Sequence, residues 1–414
     1  MATNHGQPSY RWVILATATL VVFASLGLAR FGYTVVLPAM QTGLGMSNTQ
    51  AGVLATANLA GYLALSALGG ALASRFGPRT VILLGLVVAG IGMLLTGLAQ
   101  GLMWAAAWRG LTGVGSGASN VPVMGLLAAW FGARRRGLAS GVAVAGSSVA
   151  LIAFGPTVPR ILGHYGETGW RVCWFGFGAV ALVVAGLALL LRNRPPGLEP
   201  TPESIAGGPG GPPHAQALQW GAVYRSATVW HLGVVYVAFG FSYIIYLTFF
   251  VKCLIAEGGY TQQAAGRLFM TMGWCSLLCG LIWGTVSDVI GRKGALVIVC
   301  LLHAVAFGLF GLWPTPVGFT LSAVLFGLSA WSIPAIMAAA CGDLLGPRLA
   351  PAALGFLTVF LGVGQAVGPT VAGATADAAH SLLPPMVLAA GVAMLGALAA
   401  ALLRPVGDGG AVRS

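Results

Sequence analysis

The chain has 414 residues, of which 57% are hydrophobic and only 7% charged, with a mean hydropathy of +0.89; this excludes a soluble globular domain and makes the protein an integral membrane protein. The formal net charge of +12 does not describe a nucleic-acid surface, because the basic residues sit at the ends of apolar segments and form no solvated stripe with interleaved aromatics. The 63 glycines fit transmembrane helices, whose close contacts demand small residues because lipid gives no hydrophobic drive for association.

The first apolar segment, 12–38, is too long for a signal-peptide core and has no small-residue cleavage site, so it reads as a membrane span. It carries Arg30 well inside the hydrocarbon depth, where a guanidinium costs about 2.5 to 3.5 kcal/mol. Such a charge is expected to face a polar cavity and hold an anion, since its planar donor fork matches a carboxylate and stays charged at any working pH. The bland alternative is that it hydrogen-bonds backbone carbonyls as structure. Further spans are expected at 49–73, 80–99, 102–130, 138–162 and 170–191, then at 228–255, 262–286, 294–313, 317–342, 351–376 and 385–403. That makes an all-α membrane protein of twelve transmembrane helices. The segment 195–224 has too much Pro and Gly to pack and reads as a flexible linker between an N-terminal six-helix bundle, 1–194, and a C-terminal one, 225–414. Lys and Arg concentrate on the side that holds both termini and the linker, which predicts a cytoplasmic (inner) membrane protein with those segments inside.

The two halves repeat one another. Gly70 to Arg79 follows the second helix and Gly284 to Lys293 follows the eighth, so that Gly77 and Gly291 lie 214 residues apart. Ser119-Asn120-Val121-Pro122 in the fourth helix answers Ser332-Ile333-Pro334 in the tenth, and Gly155-Pro156 answers Gly368-Pro369. A nearly constant offset of this kind means two similar bundles that meet at a pseudo-symmetric interface, where transporters hold substrates near the midplane.

The Gly284 to Lys293 loop resembles the signature loop of the major facilitator superfamily, and Arg109-Gly-Leu-Thr-Gly113-Val-Gly115-Ser-Gly117, Gly146 to Pro156 and the duplicated halves are similar to it as well. Trp130 to Gly146 resembles the monocarboxylate and oxalate/formate branch, while Arg30-Phe31-Gly32-Tyr33 with Leu37-Pro38 resembles the YbfB/YjiJ-like branch. The resemblance implies two pseudo-symmetric six-helix bundles, alternating access, and a central cavity lined by helices one, two, seven, ten and eleven. On those helices Tyr33, Asn58, Tyr62, Tyr243, Tyr246, Ser332 and Gln365 fall at interior depths and join Arg30 as candidate substrate ligands. Asn120 is a further candidate, with satisfaction of the backbone freed by Pro122 as its alternative. A cytoplasmic latch of Asp288, Arg292 and Lys293, with Arg75 and Arg79 in the other half, is implied in the same way, and Arg109 is expected to couple helices.

There are departures. Ser74 stands where the first signature loop usually has Asp, the eighth helix lacks an Asp and Arg pair, and the eleventh lacks a lysine, so the substrate charges of those relatives do not carry over. Lys252 and Arg267 are left open between interfacial anchoring and contact with substrate. Cys173, Cys253, Cys275, Cys279, Cys300 and Cys341 lack metal-ligand spacing and read as packing thiols. All eight acids, Glu167, Glu199, Glu203, Glu257, Asp288, Asp343, Asp377 and Asp408, fall in loops or near helix ends, and His231 and His303 read as structural. With no phosphate loop, no nucleophile and base pair and no cofactor motif, the expectation is a non-enzymatic secondary transporter for a small organic anion such as a monocarboxylate. Protons are the expected coupling ion, lipid the surroundings, and a monomer the expected state. Export of drugs or neutral metabolites is the alternative, and a transporter-like receptor a weaker one.

Overall fold

The computed structural model describes residues 7–193 and 220–403, and among these the chain is helical with no strand. The first crossing is α1 (Gln7–Val22), a π-helical stretch (Phe23–Phe31) and α2 (Gly32–Leu44). It is followed by α3 (Asn48–Phe76), α4 (Pro78–Gly97), α5 (Leu102–Trp130), α6 (Ala133–Tyr165) and α7 (Gly169–Leu187). After residues 194–219, which lie outside the described residues, come α8 (Trp220–Arg225), α9 (Ala227–Ala256), α10 (Gln262–Leu312), α11 (Pro316–Ser329), α12 (Ser332–Ala379) and α13 (Leu383–Ala401).

The expected linker, 195–224, lies outside the described residues as far as 219. Its last residues form α8, anchored by the fully buried Val223 and by Tyr224, whose ring packs edge-on against Phe356 at 5.1 Å.

α10 is one helix by hydrogen bonding but breaks at Gly291, where φ is +80°; Gly77, between α3 and α4, has φ +82°. The two halves thus turn at the same repeat position, with a backbone that only glycine adopts without strain. The tenth crossing is broken at Ala330–Trp331, between α11 and α12, because the ring of Pro334 clashes with the carbonyl four residues back. α12 carries the end of that crossing and all of the eleventh, the apolar spans being Pro316–Leu345 and Ala353–Ala379.

α3, α4 and α5 pack closely because the glycine-rich stretch presents two bare faces. A methyl added at Gly113 would run into the Asn58 carbonyl of α3, and one at Gly115 into the Gly85 carbonyl of α4. Backbones meet at that distance only when no side chain intervenes.

The halves meet through α3 against the second arm of α12, α6 against the first arm of α10, and α2 against α9. At the end distant from Gly77 and Gly291 they interlock. Thr56 donates to the Ala366 carbonyl at 2.6 Å and lies 2.9 Å from the Thr370 hydroxyl, while methyls added at Gly52 or Gly373 would strike the opposite backbone. Similar blocks occur at Gly155, Gly266 and Gly273, where α6 crosses α10. Moving along the same helices toward the signature loops, methyls at Gly70, Gly141, Gly280, Gly284 and Gly355 would meet nothing within 4 Å. The molecule is closed at one end and splayed at the other.

Candidate functional site

Arg30 projects from the π-helical stretch, whose extra residue per turn rotates the following side chains out of ordinary helical register. Its guanidinium lies over the Tyr62 ring of α3 at 4.3 Å, on the side of the seam where Tyr243 of α9 faces it. Nε and Nη2 are buried and have no protein partner. The Tyr62 hydroxyl accepts from Asn120 Nδ2 at 2.9 Å, and the buried Asn120 Oδ1 is also unpartnered. From the other half, Gln365 Nε2 donates to the Tyr243 hydroxyl at 2.6 Å. Five of the candidate residues, Arg30, Tyr62, Asn120, Tyr243 and Gln365, therefore form one polar belt across the seam between the halves. It lies at the level of Leu63 and Gly362, beyond which α3 and α12 separate.

Arg109 occupies the layer behind this belt. It is 1% exposed, held between the rings of Tyr33 at 4.8 Å and Trp174 at 4.9 Å, and donates through Nη1 to the Ala29 carbonyl at 2.6 Å. Asn58 Nδ2 donates to the Arg109 carbonyl at 3.1 Å, and the Tyr33 hydroxyl donates to the Ala51 carbonyl at 2.8 Å. Ser116 donates to the Ser25 carbonyl beside the π turn. These contacts fix the first crossing against α3 and α5. Tyr33 and Asn58 sit with Arg30 and Arg109 around a narrow cavity closed on its far side by Ile244, Leu247 and Thr248 of α9.

Two candidates stand apart from the seam. Tyr246 is fully buried within the second half, its hydroxyl 2.7 Å from that of Ser322 and its ring among Phe250, Phe307, Phe310 and Phe326. Ser332 donates to the Ser329 carbonyl at 2.6 Å across the break between α11 and α12. Depth alone put them with the others. Their azimuth on the helix, which depth does not encode, turns them into the core.

The two signature loops differ as well. In the second, Arg292 pairs with Asp288 at 2.6 Å and with Asp343 of α12 at 2.8 Å, and donates to Ser287 at 2.7 Å, tying the break in α10 to the end of the tenth crossing. Both ion pairs found among the described residues belong to Arg292, and Lys293 has none. In the first loop Ser74 bonds back to the Ala71 carbonyl, Arg75 lies over Phe76 at 5.3 Å, and the Arg79 amide donates to Asn193 at 2.8 Å. Among the described residues Arg75 and Arg79 meet no carboxylate, and Ser74 stands where the second loop has Asp288.

The closed end carries a polar clamp that the sequence reading missed. The Asp377 carboxylate of α12 accepts from the amides of Asn48 at 2.9 Å and Thr49 at 2.8 Å and from the Thr49 hydroxyl at 2.6 Å. It thereby fills free donors at the start of α3, where the helix dipole favours a negative charge. Lys252 of α9 donates to the Asn48 side chain, so the lysine left open in the sequence reading belongs to this clamp. Ser47, with Gln50, marks the start of α3 as a capping box and was the available signal. Nothing in the sequence, however, says that an acid 329 residues away reaches it.

Chemically, the seam can take an anion on Arg30, with hydroxyl and amide groups beside it, and no carboxylate competes for that charge among the described residues.

Residues 22–401 match the family described as "Uncharacterised MFS-type transporter YbfB". A stretch of 135 residues is 32% identical to Multidrug resistance protein 1 of Bacillus subtilis (strain 168), covering 33% of this chain and 34% of that protein, so the chain spans about a third of this relative's length. Among solved structures, a bacterial homologue of the human lysosomal transporter Spinster, inward-facing and unoccupied, superposes with a TM-score of 0.73 at 17% identity, over 96% of this chain and 98% of that one. A mutant of the nucleoside transporter NupG superposes with a TM-score of 0.73 at 13% identity, over 94% and 98%. At such identities these two show the fold alone.

Proposed function

Because the chain belongs to the YbfB-type family of the major facilitator superfamily, and is therefore a membrane transporter, we propose that it moves a small organic anion of the monocarboxylate class across the cytoplasmic membrane, with a proton, by alternating access. The observation that carries this reading is Arg30, a permanently charged group at the seam between the halves, with two buried nitrogens free of protein partners. A charge so placed is costly unless a ligand completes it. A carboxylate on the free edge of the fork would supply the missing acceptors, with Tyr62, Asn120, Tyr243 and Gln365 around the rest of the molecule. The two bundles, 1–194 and 225–414, would rock about this site, with the signature-loop end and both termini in the cytoplasm. The clamp of Asp377, Asn48, Thr49 and Lys252 would form and part at the outer end. Proton symport makes the net movement of a monoanion electroneutral.

Uptake of a panel of labelled monocarboxylates into proteoliposomes, with and without an inward proton gradient, tests the reading. Gradient-stimulated uptake of one acid that is lost in Arg30→Gln is the expected result. Undiminished uptake by Arg30→Gln would make Arg30 structural. A second reading, export of drugs or neutral metabolites, is favoured by the stretch shared with the multidrug resistance protein. It predicts movement of lipophilic compounds and of no acid.

A further inference from the structure

Beside the Arg30 belt lies a second place where positive charge is uncompensated. The narrow cavity lined by Arg30, Tyr33, Thr34, Asn58, Arg109 and Thr248 has a volume of about 10 Å³, on the scale of one water molecule. Arg30 and Arg109 both line it, two like charges on one small space. Each keeps a buried Nε without a partner, and Arg30 keeps Nη2 as well. Among the described residues no acid lines the cavity, and neither arginine is in an ion pair. Among the described residues, Arg109 is met by aromatic rings and by one carbonyl, that of Ala29. Faces of tyrosine and tryptophan offset part of a cation's lost hydration, and carbonyl dipoles another part, but neither carries a counter-charge.

We propose that this cavity is a resident site for a single monatomic anion of the chloride class, bridging Arg30 and Arg109. The small space favours a compact anion over an organic acid with its carbon chain, and the two arginines disfavour a cation. A neutral water would fit but would leave two charges facing one another in a low-dielectric interior. Thr34 and Thr248 also line it, and a threonine hydroxyl can donate to a halide. The cavity lies in the seam beside the belt, walled by α9 across from Arg30, so an anion there shares the Arg30 guanidinium with the proposed substrate site, and the arginine that belongs to this cavity alone is Arg109. The inference does not depend on which substrate the transporter moves, and its test uses no transport.

The test is halide binding by the purified full-length protein. Crystals of the native protein grown in bromide should show an anomalous peak within contact distance of both guanidinium groups. Thermal unfolding in chloride against gluconate, at equal ionic strength, should show a chloride-specific rise in melting temperature that saturates with concentration. Ala55 lines the same cavity, and Ala55→Val fills it without removing a charge. That variant should lose the chloride-specific rise while the remaining dependence on salt persists. A native protein that melts identically in the two salts and gives no bromide peak would overturn the proposal and leave the cavity to water. A chloride-specific rise that survives in Ala55→Val, with the bromide peak elsewhere, would also overturn it.

Discussion

Replacing Asp377 by Ala removes the one acceptor that joins α12 to the start of α3. The carboxylate receives two amides and one hydroxyl, between 2.6 and 2.9 Å. Hydrogen bonds to a charged acceptor contribute about 1.5 to 3 kcal/mol each in favourable settings, but this one is half-buried at an interface with water, and losing a helix-capping side chain costs about 1 kcal/mol. A loss of about 1.5 to 2 kcal/mol for the closed arrangement follows, which is roughly a 10- to 30-fold shift toward opening of this end. The alanine leaves each half intact, so overall melting should fall little. The shift can be read by pulsed spin-label distances between positions 42 and 378, both exposed at this end, in a background without other reactive cysteines. A native sample held about 100:1 closed would become about 10:1 or less in Asp377→Ala, with a new population at longer distance. Asp377→Asn, which keeps one acceptor oxygen, should fall between the two. An unchanged distance distribution in Asp377→Ala would refute the idea that the clamp holds the halves together.

Tyr62→Phe keeps the ring beneath Arg30 and removes only the hydroxyl that accepts from Asn120. It should weaken substrate affinity severalfold, whereas Tyr62→Leu should cost a further factor of about 3 to 5 from the lost cation–π contact, measured as apparent KM in the same proteoliposomes. Gly113→Val pushes a side chain into the α3 backbone and should lower stability by at least about 2 kcal/mol, seen as a drop in melting temperature and yield in detergent. In the second signature loop, Asp288→Asn should cost less than about 1 kcal/mol, because the Asp288 side chain is 67% exposed. Arg292→Ala removes both ion pairs at once and should cost more than either carboxylate alone, and a double-mutant cycle with Asp343→Asn should expose their coupling.

The sequence made the architecture legible because its signals are local and repeated. Runs of apolar residues bound the crossings, and glycines at a fixed offset mark the same turn in both halves, where the structure has Gly77 and Gly291 at nearly equal positive φ. Arg30 stood out because one charge within an apolar helix is visible without any fold. What stayed hidden depends on contacts between distant segments. The π turn that aims Arg30 leaves no trace in composition. Tyr246 and Ser332 share the depth of the seam residues but point the other way, and hydropathy is too uniform around those helices to give an azimuth. Asp377 lies near the end of α12 and Asp343 inside it, where the tenth crossing ends. Their partners, the α3 amides and Arg292, become neighbours only once the helices pack.

The two unpaired arginines also bear on the electrical behaviour of the carrier. With the signature-loop end splayed, the membrane potential falls mostly across the closed end, so Arg30 and Arg109 sit near the potential of the cytoplasm in the proposed orientation. Rocking to the opposite arrangement carries them through most of that drop. Each elementary charge moved this way corresponds to about 2.3 kcal/mol per 100 mV. An interior-negative potential therefore draws the empty carrier back toward the cytoplasm. Rapid voltage steps should then evoke a transient current without substrate, with an apparent valence of about two when the arginines travel alone and about one when a halide travels with them.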